Sequence, residues 1–313
     1  MSESNDSWER EIVTQLAEAS LKEQRRSRRW GTFFKLLTFI YIGVLVYIFG
    51  DASLTEISMD EKHTALVELN GVIADDKAAN ADTVITALRE AFDAEHSAGV
   101  ILRINSPGGS PVQSGYIYDE IIRLREKHPD TPLYAVVTDI CASGGYYIAA
   151  AADKIYADKA SIVGSIGVRM DNFGFVDVMN KIGVERRILT AGKNKALLDP
   201  FLPIDDTVTA HMSGMLTEIH QQFIDAVKKG RGDRLNTDVE GLFSGLIWTG
   251  EAAVNIGLVD ELASSSHVAR EVIGVEKIVN YTVKDDLLER FAAKLGSTTA
   301  QAISSQFLTT TIR

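Results

Sequence analysis

The chain has 313 residues, of which 45% are hydrophobic and 24% charged, enough for one or two domains with a substantial core. Its formal net charge of −11 argues against a general nucleic-acid binder. The single cysteine, Cys141, excludes an intramolecular disulfide framework but does not settle the redox compartment.

Residues 1–24 are polar and charged, with weak helical spacing at Ile12, Leu16 and Ala19, and the stretch to residue 30 reads as a cytoplasmic tail. Arg25, Arg26, Arg28, Arg29 and Trp30 then precede residues 31–50, an apolar run about as long as a bilayer-crossing helix. Its one charge, Lys35, lies near the N-terminal end and can snorkel to an interface. The arginines predict a cytoplasmic N-terminus, with the rest of the chain across the membrane. A cleaved signal peptide or a buried core helix are the rivals. The run is long for the first, and the second leaves the arginines unexplained. Residues 51–63 read as a polar linker.

From residue 64 onward, strands and helices alternate. Strands are expected at 64–69, 99–104, 133–138, 154–156 and 185–189, and a last one at 277–283. Helices are expected at 80–95, 112–127, directly after Ser143, and at 175–182 and 207–229. Residues 161–168 form an apolar segment broken by glycines. In 248–260 a capping threonine opens a short helix that stops at Gly257 and re-enters a strand. This alternation predicts an α/β domain over 64–283 with a mostly parallel sheet. A helix is expected at 285–295, within a weakly specified C-terminal stretch, 284–313.

Two of the predicted strands run into glycine-rich turns, Pro107-Gly108-Gly109 and Ser143-Gly144-Gly145. Reacting groups in an open α/β sheet gather at the C-terminal strand edge, so the two turns are expected to face each other. Ser143 sits where a strand becomes a helix, with a hydroxyl beside the unpaired N–H groups of a helix start. That is the logic of a nucleophile elbow without the Gly-x-Ser-x-Gly sequence. The plain alternative is a tight turn with a serine cap.

A serine nucleophile needs a base. The six histidines (His63, His96, His128, His211, His220, His267) fall in linkers or on helices and read as surface or helix-face residues. A lysine is the other option, and Lys193 and Lys195 in 189–201 compete for the role. Ser165, in a Gly-Ser-Ile-Gly turn, is placed to orient such a lysine. Asp153 and Asp199 read as structural carboxylates. No metal-ligand cluster or phosphate loop is present in the sequence, and no cofactor is expected.

Arg103–Gly109, Ala142–Ala149, Gly164–Val168, the Gly-Lys-x-Lys segment ending at Phe201, and Trp248–Asp260 occur in an order that resembles the signal peptide peptidase A family. The likeness covers about 64–265 and fits the short, single-domain form. It implies a membrane-anchored Ser–Lys peptidase with the Clp protease/crotonase-type fold of repeated ββα units. By that resemblance Ser143 is the nucleophile, Lys195 the general base and Ser165 the lysine's hydrogen-bond partner. Gly108 or Gly109, with Gly144, would form the oxyanion hole. The resemblance also implies apolar peptide substrates such as remnant signal peptides, a bacterial inner-membrane location with the catalytic domain outside the cytoplasm, and a homo-oligomeric ring. The rival functions are a crotonase-like acyl-CoA enzyme, which would need a catalytic carboxylate after the second turn, and an inactive membrane scaffold, which would need neither Ser143 nor Lys195.

Overall fold

The computed structural model describes residues 3–50 and 61–283, with the side chains of 21–44 alone in the first segment. Contacts divide the chain into two compact units, Met1–Met59 and Asp60–Arg313.

The described part of the first unit is one helix, α1 (Glu3–Gly50), so the expected tail and apolar run form a single element. No proline interrupts these 48 residues, which lets the hydrogen-bond ladder run through. Trp30, Phe33 and Phe34 touch ring to ring at 5.7–5.8 Å between centroids, all exposed. Among the described residues no helix is long and apolar enough to cross a membrane. The expected span, 31–50, includes 45–50, whose side chains lie outside the described residues.

The second unit is a mixed α/β fold built on an eight-stranded sheet. Its strands are β1 (His63–Asn70), β2 (Ser97–Ser106), β3 (Leu133–Ala142), β4 (Lys154–Ala157), β5 (Ile162–Gly164), β6 (Ile247–Thr249), β7 (Glu261–Leu262) and β8 (Ile278–Asn280). The order is β6-β5-β3-β2-β1-β8, with β4 on β3 and β7 on β4. All pairs are parallel except β5 with β6. Strand β3 forks: residues 134–137 pair with β4, and 140–142 pair with β5. The fork separates the strand end bearing the Ser143 turn from β4.

Parallel strands covered on both faces should be apolar throughout. Val100, Leu102 and Ile104 of β2 enter the main core, while Ile101 between them faces a second cluster with Leu66, Val136 and Tyr156. Helices α2 (Ala81–Asp93), α3 (Pro111–Lys127) and α4 (Gly144–Ala149) bury their apolar faces in the main core. Asn80 caps α2 by accepting the Thr83 N–H at 2.8 Å, and Ser110 with Pro111 opens α3. Helix α5 (Val176–Ile182) buries nothing, and α6 (Asp206–Arg231) buries Phe223, Ala226 and Val227. Helix α7 (Gly250–Asn255) starts from the expected Thr249 cap.

Three expectations change. Residues 185–189 are irregular and exposed, not a strand. The sheet edge beside β5 is already taken by β6, and this stretch carries only Ile188 and Leu189 after three charged residues. The last strand shrinks to Ile278–Asn280. His63 is buried rather than on the surface, with Nε2 2.7 Å from the Tyr281 hydroxyl and Nδ1 3.0 Å from the Glu61 carbonyl. The helix expected at 285–295 and residues 51–60 of the expected linker lie outside the described residues.

Asp260 ties α6 to the sheet, and Asp153 ties α3 to it. Arg231, 1% exposed, donates to Asp260 at 2.7 Å, and Asp260 also accepts from Arg234 at 3.0 Å and from the Ile155 N–H at 2.7 Å. Asp153 pairs with Arg125 and accepts the Leu133 N–H at 2.8 Å.

Candidate active site

Strand β3 ends and α4 begins at Ser143, with φ 52° and ψ −124°. A non-glycine residue rarely holds that backbone, at a strain of about 1–3 kcal/mol, and it persists only where surrounding structure imposes it. The surroundings do so here. The Ser143 N–H donates to the Gly164 carbonyl at 2.9 Å, its carbonyl accepts the Tyr147 N–H at 3.0 Å, and the buried helix α4 follows at once. The side chain makes no capping bond, so the serine-cap reading fails.

The Pro107-Gly108-Gly109 turn lies directly against this elbow. A Cβ on Gly108 would sit 2.7 Å from both the Gly144 nitrogen and the Ser143 Cβ. A Cβ on Gly109 would collide with the Ile73 backbone. Only glycine permits both approaches. Ile73 holds the turn from outside, donating its N–H to the Gly108 carbonyl at 2.9 Å and accepting from the Ser110 N–H at 2.8 Å. The two glycine turns therefore meet, as the strand-edge argument required.

Their N–H groups divide clearly. The Gly108 N–H donates to Ser106 Oγ at 3.1 Å, inside the protein. The N–H groups of Gly109 and Gly144 have no acceptor among the described residues. Ser143, Gly109 and Gly144 all line one cavity of about 750 Å³, together with Ser165. Its walls include Val72, Pro111, Tyr147, Ile219 and Phe223, with Gln222 and Arg169 as polar members. Ser165 has φ 55° and is held by its N–H donating to the Leu246 carbonyl at 2.7 Å.

Lys195 is not in this company. Neither it nor Lys193 lines the cavity. Lys195 sits in an exposed turn, its N–H donating to the Gly192 carbonyl at 3.1 Å. That turn belongs to an arm, 168–205, that is almost wholly exposed. The arm is braced on itself: Phe175 stacks on Phe201 at 5.5 Å, Arg186 lies 5.7 Å over the Phe201 ring, and Arg186 pairs with Asp199 at 3.3 Å. Asp199 also accepts the Phe201 N–H at 2.9 Å, so this carboxylate is structural, as expected.

No histidine lines the cavity either. Cys141, two residues before Ser143, is fully buried, and burial pushes its thiol well above the ordinary range, so it remains a protonated packing residue. Among the described residues no group of His, Cys, Asp and Glu could hold a metal ion. Sequence reasoning missed Ser106 and Ser114, both fully buried behind the two turns. The signal was present in their positions, directly before Pro107-Gly108-Gly109 and one turn into α3.

A strained serine beside two unengaged backbone donors in an open cavity is the arrangement of an acyl-transfer hydrolase. Comparison with known proteins narrows the class. The model of peptidase family S49 matches residues 125–277. A putative protease of Synechocystis, slr0021, is 31% identical over 206 residues, covering 65% of this chain and 70% of that protein. A putative signal peptide peptidase SppA of Enterococcus faecium is 28% identical over 274 residues, covering 83% of this chain and 79% of that protein. A protein of Brucella abortus named as a Na(+)/H(+) antiporter NhaA is 47% identical over 187 residues, 60% of this chain. The chain spans only 25% of that antiporter's length. The chain belongs to peptidase family S49.

Proposed function

We propose that this chain is a membrane-anchored serine endopeptidase of the Clp protease/crotonase type that cuts apolar peptides such as remnant signal peptides. The observation that carries the reading is Ser143, held strained beside the free N–H groups of Gly109 and Gly144 at an open, partly apolar cavity. Lys195 takes the proton from Ser143 Oγ as the oxygen attacks the peptide carbonyl. The two glycine N–H groups receive the oxyanion as the C–O bond forms. The resulting ammonium is steadied by Ser165 and returns its proton to the leaving amine as the C–N bond breaks. Water then releases the acyl group by the same proton route.

Serine and lysine meet in the assembly. In the single chain the lysine-bearing arm exposes Phe173, Val178, Ile182, Val184, Leu189 and Ile204, more apolar surface than a monomer leaves uncovered. A closed ring of copies buries it and brings Lys195 of one copy to Ser143 of its neighbour. Residues 31–50, behind the arginines of 25–29, anchor the ring in the bacterial inner membrane with the N-terminus cytoplasmic and the peptidase unit outside.

The test is hydrolysis of a fluorogenic, signal-peptide-like apolar peptide by the full chain in detergent micelles. Ser143→Ala and Lys195→Ala are expected to be inactive yet folded, and Lys193→Ala active. Activity of Ser143→Ala near that of the wild type would end the serine-peptidase reading.

A further inference from the structure

The glycine turn opposite Ser143 contains two glycines, and only one of their N–H groups is free. The reason lies in a residue outside the cavity. Ser106, the last residue of β2, is completely buried. Its hydroxyl donates to the Gly71 carbonyl at 2.6 Å and accepts the Gly108 N–H at 3.1 Å. Pro107 has no N–H to offer. The Gly108 carbonyl is taken by the Ile73 N–H at 2.9 Å. Both the N–H and the carbonyl of Gly108 are thus committed, which leaves the Gly109 N–H as the free donor of the glycine pair. Ser106 also backs the start of α4: a Cβ on Gly145 would lie 3.1 Å from the Ser106 carbonyl oxygen and 3.4 Å from its Cβ. One residue therefore links the loop at 71, the turn at 108 and the floor under the Ser143 helix.

We infer that Ser106 is a positioning residue for hydrolysis, selecting the Gly109 N–H over that of Gly108 as the oxyanion donor. The inference rests on the reading of Ser143 as nucleophile. Without the hydroxyl, the buried Gly108 N–H loses its partner. A glycine pair has no side-chain barrier to rotating the intervening peptide plane, so the turn then samples orientations in which the Gly109 N–H leaves the oxyanion. Such a loss acts on the transition state, where charge develops, and leaves ground-state peptide binding intact.

The experiment compares full-length wild type, Ser106→Ala, Ser106→Cys and Ser143→Ala, measuring kcat, KM, and Ki for a peptide aldehyde that forms a tetrahedral adduct on the serine. Ser106→Ala should lose about 10–100-fold in kcat with KM within twofold, the size of effect seen on losing an oxyanion donor or slightly below it. The aldehyde Ki should weaken by the same factor. Ser106→Cys keeps the side-chain shape with a weaker donor and acceptor, and should fall between the two. Should the alanine variant not fold, the cysteine variant alone decides, with the same split between kcat and KM. A purely structural role would lower the titrated active fraction and leave the aldehyde Ki of the surviving sites unchanged, which overturns the inference. So does a kcat within threefold of wild type. An active Ser143→Ala is a separate result, and overturns the nucleophile reading instead.

Discussion

The two halves of the proposed catalytic machinery are built in opposite ways. The half carrying Ser143 is finished within one chain. Strand β3, the turn at 107–109 and helix α4 are locked by backbone bonds, with Tyr146, Ile148 and Ala149 fully buried beneath. The half carrying Lys195 packs mainly on itself, and α5 within it has no buried residue. Strain at a nucleophile can be held only where a core imposes it. In the proposed mechanism a base delivered on an exposed arm can be withdrawn, and in the single chain Lys195 does not line the cavity of Ser143. A peptidase that completes its site only on assembly would stay silent until the ring closes.

The largest expected effect tests this contrast directly. Ser143→Ala and Lys195→Ala should each lower kcat by at least about a thousandfold, as removal of a nucleophile or base does elsewhere. Co-assembled from a denatured mixture, the two inactive variants should regain activity at roughly a quarter of the sites of a randomly mixed ring. A mixture as dead as its components would place the base within the same chain and break the comparison. A second test is aimed at the arm. Phe173→Asp should shift the protein to smaller species in sedimentation and lower activity at least about tenfold, with the melting temperature of the peptidase unit little changed, since Phe173 is 76% exposed.

The core half should respond in stability. Asp260→Asn leaves the buried Arg231 guanidinium without its counter-charge, and unfolding in urea should show a loss of about 3–5 kcal/mol. Burial opposes the Asp260 charge, but the hydrogen bonds from Arg231 and the Ile155 N–H together with the charges of Arg231 and Arg234 outweigh it and hold the carboxyl below the ordinary range. The smallest effect is a pH dependence. Glu120 accepts from Arg123 at 2.6 Å and from Arg89 at 2.7 Å, and the hydrogen bond to Arg123, with that to Arg89, brings its carboxyl from 4.5 to about 2 despite burial. A carboxyl lowered on folding stabilises the fold fully above about pH 5, and that contribution fades as pH falls toward 2. Both arginines are half exposed, so about 1–2 kcal/mol is expected after solvent screening. Glu120→Gln should therefore be less stable than wild type at pH 6 and converge with it near pH 2–3. A constant gap across that range would show that the pair does not carry the acid sensitivity.

Much of this was legible in the residues. The apolar runs at 99–104 and 133–138 could only be buried parallel strands, because they offer no polar face to water. Thr249 marked a helix start through its own side-chain oxygen, a local signal. Glycine beside glycine after two such strands announced that backbone must approach backbone there. Those features depend on a few neighbouring residues, and sequence records them directly. Residues 185–189 were misread because a strand needs a free edge, and β6 arrives from some sixty residues downstream to occupy it. His63 was misplaced for the same reason, since its partner Tyr281 comes from the far end of the domain. Composition cannot say which glycine N–H stays unpaired either. That is decided when Ser106, Gly71 and Gly108 converge from three segments, and hydrogen bonds between distant segments form only once the chain has folded.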